Sequence, residues 1–142
     1  MLFRSFFEYC SSLTNVNLSG LTTLGNSTFY NCTGLTSVSC PTATFIDNGA
    51  FYGCSSLSTI SLPNASSMGT HVFYQCTVLS NLNIPNCLTL GPTTGDNNIF
   101  GLISGSTVTV TLPTSLMSCN GGLPDGDIQT LQANNTVTIT TV

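Results

Sequence analysis

Ala50-Phe51-Tyr52-Gly53-Cys54-Ser55-Ser56-Leu57-Ser58-Thr59-Ile60-Ser61-Leu62-Pro63-Asn64 decides the fold, because its frame recurs along the chain. Phe, Cys and Leu stand three apart at Phe7, Cys10 and Leu13, and again at Phe29, Cys32 and Leu35. The same spacing returns at Phe51, Cys54 and Leu57 and at Phe73, Cys76 and Leu79, each set 22 residues after the last. A second string follows each Leu: Asn15-Val16-Asn17-Leu18, Ser37-Val38-Ser39-Cys40, Thr59-Ile60-Ser61-Leu62 and Asn81-Leu82-Asn83-Ile84. Pro41, Pro63 and Pro85 close three of them. An apolar residue (Leu24, Ile46, Met68, Leu90) then precedes Gly25, Asp47, Gly69 or Gly91. Self-similarity at a fixed period of this size marks a solenoid.

The second string alternates polar and apolar, the period of a strand with one buried face. Val16, Val38, Ile60 and Leu82 point inward. A strand this short buries nothing alone; stacking equal turns at about 4.8 Å sets each Phe, Cys, Leu and Val on its counterpart and builds one core. Proline lacks the N–H a ladder needs, so it ends the strand and turns the chain, while Gly and Asx supply corners. Val108-Thr109-Val110-Thr111-Leu112-Pro113 and Thr136-Val137-Thr138-Ile139-Thr140 continue the alternation. The expectation is a mostly β solenoid of one domain, residues 1–142, with six short parallel strands centred on residues 16, 38, 60, 82, 110 and 139. Coils are regular over 1–90 and lengthen to 28–29 residues over 91–142. The insert 91–98 reads as a surface loop. A short helix runs from Asp127 to Leu131 or slightly beyond, with Asp125 near its N-terminus, where a carboxylate is favoured.

Composition excludes several trades. The 142 residues hold one basic residue, Arg4, five carboxylates and one His, for a net charge of −4. One cation releases few counterions from a phosphate backbone, so nucleic acid is not a partner. The acidic balance argues against a membrane-surface role, and no apolar run is long enough to insert in a bilayer. The first ten residues contain Arg4 and Glu8 but no apolar core, so no secretory signal is expected. The sequons at Asn26, Asn31, Asn64 and Asn134 are a by-product of a Ser/Thr/Asn-rich chain.

Chemistry-bearing residues form no constellation. Cys10, Cys32, Cys54 and Cys76 share one repeat position and read as a buried ladder of free thiols, whose parallel Cβ vectors suit a disulfide poorly. Cys40, Cys87 and Cys119 are scattered, and the lack of a C-x-x-C pair gives zinc no support. His71 lacks an orienting acid in register, and Cys76 belongs to the core, so a nucleophile pair is not expected. Asp96-Asn97-Asn98 and Asp125-Gly126-Asp127 read as turn and cap residues rather than calcium loops. The expectation is a non-enzymatic protein without cofactor or metal.

The string over residues 50–64 resembles the consensus turn of the BspA-like leucine-rich-repeat family, and the resemblance spans about residues 5–90. It implies a curved right-handed solenoid of the kind found in bacterial, protist and viral surface proteins that bind or adhere. Two surfaces are then candidates. The outward strand residues Asn15, Asn17, Ser37, Ser39, Thr59, Ser61, Asn81, Asn83, Thr109 and Thr111 make an uncharged strip of hydroxyls and amides, suited to a glycan or a protein surface. A regular Thr array would suit ice, but Asn and Ser break it. Tyr30, Tyr52 and Tyr74 form a second ladder, read first as ring-on-ring packing and second as an aromatic contact stripe. The coil ends carry Leu2, Phe3 and Phe6 at one extremity and Val137, Ile139 and Val142 at the other, without a polar cap. Two functions follow. The first is a structural or binding module of a virion surface, tail fibre or extracellular filament, assembled with copies of itself or neighbouring subunits through these ends. The alternative is a fragment of a cell-surface adhesin that binds host protein or glycan on the strand face.

Overall fold

Three-residue strands have too little local preference to persist alone, so stacking of like on like must supply the order. The computed structural model describes residues 5–91, 99–101, 107–117 and 126–142. In chain order the strands are β1 (Asn15–Asn17), β2 (Thr23–Leu24), β3 (Ser37–Ser39), β4 (Phe45–Ile46), β5 (Thr59–Ser61), β6 (Ser67–Met68), β7 (Asn81–Asn83), β8 (Thr107–Leu112) and β9 (Thr136–Thr141). A 3-10 turn, Thr114–Met117, follows β8, and helix α1, Gly126–Asn134, precedes β9. Strands β1, β3, β5, β7, β8 and β9 pair in that order in one parallel sheet. All six expected strand centres lie in it. Val16 pairs with Val38, Ile60 with Leu82, Leu82 with Val110, and Val110 with Ile139.

Two further ladders stand where the sequence predicts simple corners. Strands β2, β4 and β6 form a second parallel sheet, with Leu24, Ile46 and Met68 in register and buried. The apolar residue before each Gly or Asp is thus a core residue, and burying it leaves the backbone extended and free to pair. The third ladder runs through the segment around each Phe. The N–H groups of Ser27, Phe29 and Asn31 donate to the carbonyls of Asn48, Ala50 and Tyr52 in the next coil, at 3.0, 2.8 and 2.7 Å. Gly49, Phe51 and Gly53 do the same to Thr70, Val72 and Tyr74. The N–H groups between them turn back within the coil, as from Tyr30 to Ser27. This alternation requires two left-handed residues per coil. They are Ser5 and Tyr9, Ser27 and Asn31, Gly49 and Gly53, then His71 and Gln75, with φ between 52° and 71°.

Between the ladders lies the core. Phe7, Phe29, Phe51, Phe73 and Phe100 stack nearly parallel, with centroids 5.2, 5.5, 5.6 and 6.1 Å apart. Phe29, Phe51 and Phe73 are fully buried, each contributing about 2–3 kcal/mol of transfer free energy. Leu35, Leu57 and Leu79 are buried in register beside them. The cysteine ladder departs from expectation at one rung. Cys32, Cys54 and Cys76 are buried, but Cys10 is exposed, because no described coil lies over its outer side. At the other extremity α1 buries Ile128 and Leu131. It matches the expected helix; Asp125 and the insert residues 92–98 lie outside the described residues.

Candidate functional site

The outward strand residues form two columns. Asn15, Ser37, Thr59, Asn81 and Thr109 make the first, Asn17, Ser39, Ser61, Asn83 and Thr111 the second. Alternation puts them on the face opposite the buried Val, Ile and Leu, so the columns follow from the same two-residue period that builds the core. Asn83, Thr109 and Thr111 are half-buried, and the other seven are exposed. Thr138 and Thr140 of β9 extend both columns by one rung. The polar-apolar alternation of 136–140 already carried that signal.

Neighbouring rungs bond to one another. Ser37 Oγ donates to Asn15 Oδ1, and Asn83 Nδ2 donates to Ser61 Oγ at 3.0 Å. Flanking hydroxyls reach across coils to backbone: Thr36 Oγ1 to the Thr14 carbonyl at 2.9 Å and Ser80 Oγ to that of Ser58 at 3.1 Å. One interruption breaks the regularity. Strands β1 and β3 pair at three positions, as do β5 and β7, whereas β3 and β5 pair only at Ser39 and Ser61. A groove of about 370 Å³ lies there, lined by Ser37, Thr59, Ser61, Asn81 and Asn83 with Val38 and Ile60. Five of the ten predicted face residues therefore meet in one depression without an ionisable group. Repeat arithmetic places the columns but holds no sign of the opening.

The end residues meet differing environments. Phe6 is exposed and packs edge-on against Phe7, with ring centroids 5.2 Å apart. Val137 and Ile139 are only partly buried against the core, and the Val142 side chain is exposed. Leu2 and Phe3 lie outside the described residues.

Reactive chemistry has no assembled centre among the described residues. Cys76 Sγ donates to the Phe51 carbonyl at 3.1 Å, Cys54 Sγ to that of Phe29 at 3.2 Å, and Cys32 Sγ to that of Phe7 at 2.8 Å. Burial pushes the Cys76 and Cys40 thiols up to about 12 and Cys54 higher still, so they are protonated and inert near neutrality. His71 sits half-buried in a left-handed corner, its ring edge-on to Tyr74. Asp47 accepts from the Asn48 N–H at 2.8 Å, a turn role. Among the described residues no group of three His, Cys, Asp or Glu comes together around a metal position. Asp96 and Asp125 lie outside them. Among them also, no helix is long and apolar enough to cross a membrane.

No curated protein matches the chain. Among solved structures, the leucine-rich-repeat protein of T. pallidum (TpLRR) superimposes with a TM-score of 0.59 at 18% identity. The match covers 98% of this chain and 78% of that one, a likeness of fold. The family model for the BspA type leucine-rich-repeat region matches residues 2–118 in six copies, well beyond the 5–90 over which the repeat is regular. With the Phe, Cys and Leu ladders in register over residues 7–79, the chain belongs to the BspA-type leucine-rich-repeat family.

Proposed function

We propose that this chain is a non-enzymatic interaction module of an extracellular or cell-surface protein, which holds a host protein or glycan surface against its strand face. One observation carries the reading: residues of three successive coils converge on an uncharged groove of about 370 Å³ in that face. A neutral partner loses little solvation there, and the amides and hydroxyls fix its orientation. The module is residues 1–142 as one solenoid, regular to residue 90 and longer-coiled beyond. Assembly of a virion, tail fibre or filament through Phe6, Val137, Ile139 and Val142 is the weaker alternative, because a further coil of the same kind would cover those side chains equally well. The family match favours a binding surface over a particle component.

Glycan and extracellular-protein arrays probed with the 142-residue chain test the proposal. Ser61→Lys and Asn81→Lys place a charge in the groove without touching the core, and each reduces a specific signal at least tenfold. Retention of that signal by both variants, with unchanged circular dichroism, overturns the strand-face reading.

A further inference from the structure

A second depression lies away from the strand face, along the tyrosine ladder. Tyr30, Tyr52 and Tyr74 stack face to face, with centroids 4.7 and 5.0 Å apart and planes 18° and 17° from parallel. Beside them runs the column of left-handed corners, Ser27, Gly49 and His71. Gly49 interrupts that column. A Cβ built there meets only Tyr52 Cβ at 3.7 Å and Ser27 Oγ at 3.8 Å, so a side chain is missing where space for one exists. The result is a notch of about 220 Å³ between Ser27 and His71, with Tyr30 and Tyr52 along it and Asn26 and Asn48 beside them.

The lining selects its ligand by charge and by donor pattern. Asn48 Oδ1 accepts from Thr70 N at 2.8 Å and Thr70 Oγ1 at 3.3 Å, and Asn26 Oδ1 accepts from Ser27 Oγ at 3.0 Å. Both amides are thereby held, and neither Nδ2 makes a hydrogen bond among the described residues. The Tyr30 phenol is pushed above its ordinary value by desolvation, then by the neighbouring Tyr52, so it stays neutral. Among the described residues the notch is lined by no carboxylate to hold a cation and no Lys or Arg to hold an anion. What remains is hydroxyl, amide and imidazole hydrogen bonding along the tyrosine edges, a lining that matches the hydroxyls of an uncharged sugar. The volume equals that of about seven waters, room for one pyranose ring.

We propose that this notch seats one residue of an uncharged glycan, at a site separate from the strand face and independent of its function. Isotope-labelled protein titrated with neutral oligosaccharides (β-linked glucose, β-linked N-acetylglucosamine and mannose tetramers) tests it, with sulfated and sialylated glycans as controls. A neutral member shifts the Asn48 side-chain amide and His71 ring signals. Gly49→Asn fills the notch with a residue that tolerates the left-handed region and weakens the binding read at those signals at least tenfold. Should Gly49→Asn fail to fold, Tyr52→Phe keeps the ring stack, removes one hydroxyl and weakens binding at least threefold. The proposal is overturned if no neutral glycan moves those signals, if only charged glycans do, or if the folded notch variants bind as the parent does.

Discussion

At Cys76 a thiol of no reactive use makes a structural bond, closing on the Phe51 carbonyl of the preceding coil. Desolvation pushes this thiol from 9.0 to about 12, and Cys40 likewise. Between pH 9 and about 12 the unfolded chain releases thiol protons that the folded chain retains, so alkali favours unfolding; below pH 9 both states are protonated and the effect vanishes. Stability falls by up to about 1.4 kcal/mol per pH unit through Cys76 alone. Urea midpoints measured near pH 8 and near pH 10.5 check this, the second being lower, with a smaller drop in Cys76→Ala. Corner geometry is the residue-level feature that spacing left hidden. Gly49 and Gly53 stand four apart in one coil, and both have positive φ. Carried through the 22-residue register they mark Ser27 and Asn31, then His71 and Gln75, as left-handed too. Those side chains obscure the signal because polar residues also fill corners of ordinary, right-handed geometry.

Among elements, the aromatic stack outweighs the strands. Strands β2, β4 and β6 are two residues long, and no propensity scale would single them out. They pair because Leu24, Ile46 and Met68 are drawn into the same core as the phenylalanines. Phe51 has a stacked ring on each side, whereas Phe7 is partly buried. Phe51→Ala therefore costs about 3–5 kcal/mol and Phe7→Ala clearly less, as chemical denaturation of each variant against the parent will measure. Phe100, which closes the stack, sits 27 residues after Phe73 and so falls outside the regular spacing. The ladder tolerates the longer coil because the N–H groups of Phe73 and Gln75 still reach the carbonyls of Ile99 and Gly101.

Across the whole molecule, among the described residues each strand of the long sheet pairs only with its neighbours along the stack, so stability is shared along a line rather than around a centre. An inner coil has two such neighbours and an outermost one has one. Native-state hydrogen exchange of the 142-residue chain accordingly finds the slowest amides in β5 and β7, and faster exchange in β1 and β9. Uniform protection along the sheet would contradict a one-dimensional stack. The candidate groove also belongs to this scale, since it forms where the third coil pairs incompletely with the second.

The 22-residue recurrence of Phe, Cys and Leu, with polar-apolar alternation behind it, determined the solenoid, the six parallel strands and the two outward columns. Periodicity suffices for this because equal coils stack with equal residues in contact. Which rungs part to open a groove, and where one absent side chain leaves a notch, was decided only in three dimensions. Both depend on offsets of a few ångströms between neighbouring coils, set by packing on every side of each rung, and a repeat in one dimension carries no record of that.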